Sequence, residues 1–256
     1  MILTERSPDG VAIITLHRPA ARNALSLAML EALRDALDAA QDARCIVLAA
    51  HGPAFCGGHD LCELTAARSD ADGGRAFYAR TMALCGQVMQ AVVNHPVPVI
   101  AVVEGIATAA GCQLVASCDL AVATASAKFC TPGVDIALFC STPGVALARA
   151  IPRKAAMEML LAGRMVAAPE AQTLGLINRV VEDARAEAFA LAAGIASRSA
   201  VAVRLGKRGF LAHCALPLPQ AYDAASAVMV ENMLAEDAKE GIGAFLGKRA
   251  PHWQDR

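Results

Sequence analysis

The chain has no excess of charge of either sign. Among its 256 residues Lys and Arg number 23 and Asp and Glu 24, a net charge of −1. Nucleic-acid binding usually calls for a clear basic surplus, so nucleic acid is not expected as a partner. No CxxC pair occurs. The nine cysteines are an odd number and most lie in apolar runs, as Cys45 does in RCIVLAA and Cys85 in MALCGQVM. Free cysteine packs as a small hydrophobe, so the expectation is a reducing compartment and no disulfide scaffold. The most apolar stretch, residues 97–116, carries Glu104 and Gln113 and is rich in glycine and alanine, which reads as buried strand plus helix, with no membrane partner. The first residues, MILTERSPDG, hold acids and no apolar core, so no secretory or transit segment is expected and the location is read as cytoplasmic. Internal repeats and low-complexity linkers are also missing.

What is present is a 56% hydrophobic chain long enough for one large domain, or one domain with a small appendage. VAIITL (11–16) is short and β-branched and reads as a strand, and so do CIVLAA, HPVPVIAVV (95–103) and DLAVAT. Ser26 is placed to cap a helix whose Leu30, Leu33 and Leu37 share one face. Residues 75–93 carry Met82, Cys85, Met89 and Val92 at helical spacing. Strands alternating with helices predict an α/β core. Beyond Pro169 the pattern turns helical, with helices expected over 184–196, 199–212 and 219–247. Arg204, Lys207 and Arg208 read as a solvated face of the second of these.

Two small-residue turns follow buried strands. One is AFCGGHDL (54–61) and the other is EGIATAAGCQL (104–114), which opens directly into a helix. Such turns can aim backbone N–H groups at a common point, with the helix N-terminus adding partial positive charge. Other readings of the first turn are weaker. Cys56 and His59 could be a nucleophile and its base, but such pairs are matched in space rather than by sequence spacing. Cys56, His59, Asp60 and Cys62 follow no recognised zinc spacing, so no metal is expected. Asp60 could be a general base, and its simpler role is to cap a short helix starting at Leu61.

The order HRP-x-x-RNAL, AFCGGHDL, PVPVIAVVEGIATAAGCQL, SCDLAVAT, F-x-x-P, PEAQTLGLINRVV and AFLGKR resembles the crotonase family, the enoyl-CoA hydratases and isomerases, over residues 10–250. ATAAGCQLVASCD and LFCSTPGVALARA resemble more narrowly its enoyl-CoA hydratase domain-containing protein 3 type. The resemblance implies an α/β spiral of β-β-α units over residues 1–190 and a helical oligomerisation region over 191–256, in homotrimers or hexamers. It implies a CoA thioester as substrate, with no separate cofactor. It also implies an oxyanion hole made by the N–H groups of His59 and Ala110, with substrate or CoA contacts at Arg22, Ala54, Gly58, Asp60 and Leu61. Phe245 and Lys248, in AFLGKR, fall where the family meets the CoA adenine and 3′-phosphate; Arg18 is a further candidate.

The pattern then breaks. Family hydratases carry one glutamate where this chain has Gln113, and another where FCTPG places Gly133. Adding water across a double bond needs an acid and a base, and neither residue can exchange a proton. Asp135, Cys140 and Ser141 are the nearest candidates for substitute chemistry. His59 has two readings: an imidazole that acts as acid or base or fixes a substrate carboxylate, or a residue used through its N–H alone, with the ring packed or in solvent. The second is preferred. Three functions are therefore carried forward. One is an acyl-CoA enzyme other than an efficient hydratase, such as a decarboxylase, isomerase or thioesterase. Another is an enoyl-CoA hydratase (lyase) of fatty-acid metabolism. The third is a non-catalytic acyl-CoA binder or assembly subunit.

Overall fold

Three times in succession a strand of one sheet runs into a short strand of a second sheet and then into helix. A computed structural model describes residues 1–256. The chain opens with β1 (Ile2–Arg6), β2 (Val11–Leu16) and α1 (Leu27–Asp38). The first repeat is β3 (Cys45–Ala50), β4 (Ala54–Cys56), α2 (Leu61–Ala66) and α3 (Arg75–Val93). The second is β5 (Val99–Val103), β6 (Ile106–Thr108) and α4 (Ala110–Ser117). The third is β7 (Leu120–Thr124), β8 (Lys128–Cys130), a 3-10 turn over Pro132–Ile136, then α5 (Ser141–Ala150) and α6 (Arg153–Ala162). β9 (Val166–Ala167), α7 (Ala168–Leu174), β10 (Arg179–Val181) and α8 (Ala184–Ala196) complete the core. α9 (Ala200–His213), α10 (Leu218–Met233) and α11 (Glu236–Leu246) follow.

The main sheet runs β1-β2-β3-β5-β7-β10, parallel throughout except for the β1–β2 pair. The second sheet runs β4-β6-β8-β9, with β4, β6 and β8 parallel. Side chains alternate across a strand, and β3 shows the result. Its Ile46 and Leu48 join the larger core with α1 and α3, while Cys45, Val47 and Ala49 face the other way. There they meet α8, whose Ala184, Ala188, Ala192 and Ala196 recur every fourth residue and lay one smooth helix face on the sheet. A boundary at residue 190 therefore falls inside a helix that belongs to the core along its whole length.

The strands and most helices lie where patterning places them, including Ser26, which accepts the Met29 N–H as the cap of α1, and α3 over residues 75–93. Several expectations change. β1 is an added edge strand paired with β2. The long helix expected over 219–247 is broken at Leu234–Ala235 into α10 and α11. Lys207 is no part of a solvated face: its side chain is 8% exposed, pairs with Asp119 at 2.6 Å and donates to the Val97 carbonyl at 3.1 Å. Arg204 likewise donates to the Gln41 and Ala43 carbonyls, so these two cations fasten α9 to the core, and Arg208 alone of the three is exposed. No single helix is long and apolar enough to cross a membrane.

Candidate active site at the ends of three parallel strands

β4, β6 and β8 are neighbours and parallel, so the loops leaving their C-terminal ends emerge on one edge, roughly 5 Å apart strand to strand. These loops carry His59, the Ala109–Ala110 turn and Gly133. The sequence-predicted positions that matter most are thus brought together by sheet topology. Cross-links hold the loops to each other: Thr108 Oγ1 donates to the Gly57 carbonyl at 3.0 Å, and the Ala109 N–H donates to the Cys130 carbonyl at 2.9 Å.

Close approach dictates the small residues. Gly58 has φ +89°, and a Cβ there would lie 3.0 Å from Ala109 Cβ and 3.7 Å from the Ala110 nitrogen. The Gly57–His59 turn therefore lies directly against the first N–H of α4. A Cβ on Gly111 would fall 2.3 Å from the Cys56 carbonyl oxygen, so nothing larger than glycine fits. Ala109 has φ 48° and ψ −116°, a conformation usually left to glycine. The surroundings hold it there, because its N–H and its carbonyl are both bonded, the latter by the Gln113 N–H.

Ala110 is the first residue of α4, and the opening N–H groups of a helix have no partner within it. The His59 N–H also has no protein acceptor, although its neighbours are bonded: Leu25 donates to the Gly58 carbonyl at 2.7 Å, and Asp60 donates to the Leu25 carbonyl at 3.4 Å. Two free backbone donors thus stand at adjoining turns.

The side chains around them are unusual. Both ring nitrogens of His59 are buried without a hydrogen-bond partner, and so is Gln113 Oε1 on a residue 4% exposed. Such groups cost about 1–3 kcal/mol each when left unmade. Burial pushes the His59 imidazole below its ordinary value, the nearby Leu25 backbone partly offsetting it, so the ring is neutral at pH 7. A ring in solvent, one form of the simpler reading of His59, does not describe this residue.

Gly133 has no room for a glutamate. A Cβ there would lie 2.6 Å from the Leu138 carbonyl oxygen and 2.8 Å from Cys140 Sγ. The Leu138 N–H is bonded to the Gly133 carbonyl, so the loop closes over this position. Cys140 is buried with its thiol pushed up by burial, while Asp135 and Ser141 are exposed. Asp135 lies toward Gly163, at the end of α6.

Asp60 caps α2 by accepting from the Cys62 and Glu63 N–H groups and pairs with Arg18 at 2.7 Å. Arg18 is therefore committed. Arg22 forms no ion pair and stands beside the Gly57 turn, its own carbonyl taking the Gly57 N–H. Cys56 is fully buried with its pKa pushed up to about 12, which makes it a core thiol rather than a nucleophile. It gathers no metal-binding group with His59, Asp60 and Cys62. Ala54 is buried in β4, and Leu61 is exposed at the start of α2. Phe245, 83% exposed, and Lys248 sit at the end of α11, which packs on α9 and α10.

Sequence reasoning missed the scaffold. Asn23 is fully buried at φ 53° and ties the Arg18 N–H to the His51 and Ala54 carbonyls. Its signal was present in RNAL, since asparagine is among the few side chains that tolerate that backbone. Thr108, Ala109 and Gly111 carried no signal beyond their small size.

The family model for enoyl-CoA hydratase/isomerase matches residues 6–256. A mouse (Mus musculus) protein named enoyl-CoA hydratase domain-containing protein 3, mitochondrial, is 49% identical over 257 residues, covering 98% of this chain and 84% of that one. Among solved structures, an enoyl-CoA hydratase from Mycobacterium smegmatis superposes with a TM-score of 0.94 at 47% identity, covering 98% of each chain. The human enoyl Coenzyme A hydratase domain-containing protein 3 superposes at 0.92 with 47% identity, covering 98% of this chain and 99% of that one.

Proposed function

Because this chain belongs to the enoyl-CoA hydratase/isomerase family and has the crotonase α/β fold, we propose that it binds acyl-CoA thioesters and holds a negative thioester oxygen between the N–H groups of His59 and Ala110. The observation that carries this reading is the pair of free backbone donors at adjoining strand ends, with Gly58 packed against the Ala110 nitrogen. Donors of this kind strengthen as charge develops on oxygen, which favours an enolate or tetrahedral intermediate over the bound thioester.

In this reading the protein is not an efficient hydratase. A carboxamide cannot exchange protons at Gln113, and the crowding at Gly133 removes the second acid–base position. The reaction class is another transformation of an acyl-CoA, such as decarboxylation, isomerisation or hydrolysis. CoA enters as part of the substrate, with no separate cofactor or metal. Arg22, an unpaired cation beside the Gly57 turn, supports a phosphate contact. Phe245 and Lys248 are proposed to meet the adenine and 3′-phosphate of a CoA bound in a neighbouring subunit of a homotrimer or hexamer. The nine unpaired cysteines support a reducing compartment, proposed as the cytoplasm; the mitochondrial label belongs to the mouse relative.

Calorimetry with CoA and acetyl-CoA beside steady-state hydration of crotonyl-CoA tests the reading. Measurable binding is expected, with hydration far below the roughly 1–1,000 per second typical of enzymes. Hydration within that range removes the objection to a hydratase. Absence of binding removes the acyl-CoA assignment itself.

A further inference from the structure

Once the two glutamate positions are set aside, the strand-end loops still have to supply a group that moves a proton if any enolate is to form and collapse. Three side chains leave buried polar atoms unpartnered: Thr81, Gln113 and His59. Of these only His59 titrates. Both its ring nitrogens are buried, no side chain holds them and only the Leu25 backbone is near, and the ring belongs to the same residue whose N–H is free. Gly58 sets that residue against the start of α4, and Gln113, with its own unpartnered oxygen, lies one turn further along that helix.

We infer that the His59 imidazole is the proton-transfer group of this site, exchanging the proton on the α-carbon of a bound acyl thioester. This rests on the acyl-CoA reading above. The lone-pair nitrogen takes the α-proton as the Cα–H bond breaks. That electron pair forms a Cα=C bond, and the carbonyl π pair moves onto oxygen, where the His59 and Ala110 N–H groups hold it. The imidazolium then trades its proton with solvent and returns one to the carbon, and the thioester is restored with no oxidant, reductant or co-reactant consumed. Burial holds the ring below its ordinary value, which leaves its lone pair free to take a proton at pH 7. Gln113 adds a neutral acceptor where a second carboxylate would otherwise contend for the same proton.

The experiment is deuterium wash-in. Butyryl-CoA is incubated with the protein in D2O and loss of the α-CH2 signal is followed by proton NMR, with butyryl-CoA affinity measured in parallel by calorimetry. The native protein is expected to exchange the α-protons catalytically. His59→Ala and His59→Gln keep the backbone N–H and are expected to bind butyryl-CoA within a few-fold while losing exchange by roughly a hundred-fold or more. Added imidazole is expected to restore part of the exchange in His59→Ala, which a merely structural role for the ring would not produce. If either variant binds and exchanges as fast as the native protein, the imidazole is not the base. If the native protein binds butyryl-CoA but exchanges nothing, the inference is overturned while the binding assignment stands. If the native protein binds no butyryl-CoA, the proposed function fails first and this inference with it.

Discussion

His59 and Gly133 show how much single positions decide here. Replacing His59 by proline removes an N–H that no protein group accepts, so the fold loses no hydrogen bond while the proposed oxyanion site loses half its donors. His59→Pro is expected to bind free CoA but to lose its preference for acyl-CoA, and any turnover should fall about a hundred- to a thousand-fold. Calorimetry and rate assays on the same preparation check both. Gly133→Ala puts a methyl group against the Leu138 carbonyl and Cys140 Sγ, and overpacking of this kind costs about 1–3 kcal/mol. A lower denaturation midpoint in urea is expected. A variant as stable as the native protein would mean the loop yields and a glutamate could be restored there.

The buried imidazoles also set a pH dependence. Burial lowers the pKa of both His59 and His95, so the unfolded chain binds more protons than the folded one below about pH 6.5. Stability is therefore unaffected by these groups above that value and declines as pH falls below it. A thermal-melting series from pH 7.5 to 5 is expected to show this decline, with a shallower slope in His59→Ala. An unchanged slope would mean that the ring protonates freely in the folded protein.

At the scale of elements, α2 has only six residues and depends on its N-cap. Asp60 accepts two N–H groups, and Glu63 in turn bonds the Leu27 N–H at the start of α1, so one carboxylate fixes the first turn of α2 and the helix passes this order on to its neighbour. Asp60→Ala is expected to cost about 1 kcal/mol through the lost cap. The Arg18 pair, with Arg18 about a third exposed, adds little. In a chain of this size that lowers Tm by roughly 2–4 °C. Calorimetric melting checks it, and an unchanged Tm would show that α2 is held by packing alone. At the far end, Lys248→Ala is expected to weaken CoA more than dephospho-CoA if this lysine meets the 3′-phosphate. Equal loss for both ligands removes that contact.

Across the whole molecule, the C-terminal helices are the least finished part. α10 buries no residue, and Leu218, Met229, Met233 and Leu234 are exposed, as are Ile242, Phe245 and Leu246 on α11. So many exposed large apolar side chains at one end of a chain point to a surface that another chain covers. Light scattering is expected to give a trimer or hexamer of the 26.4 kDa chain. A monomer at micromolar concentration would overturn both the assembly and the proposed contact of α11 with a neighbour's CoA.

The division between what the sequence by itself determined and what only tertiary structure decided follows the range of the forces. The span of α3, the caps at Ser26 and Asp60 and the buried strands at 11–16 and 45–50 were legible, because periodicity, capping and residue chemistry act within a few positions of the chain. The break at Leu234–Ala235 was not, since neither residue is a helix breaker. Nor was the anchoring of Lys207, which depends on Asp119 arriving from β7's entry 88 positions away. The same holds within the site. The sequence announced a glycine at 133, but only folding placed Leu138 and Cys140 where its side chain would have to be. It announced a histidine at 59, but only the convergence of β4 and β6 left that ring buried and without a partner, because a hydrogen bond is made or missed by what other segments bring to it.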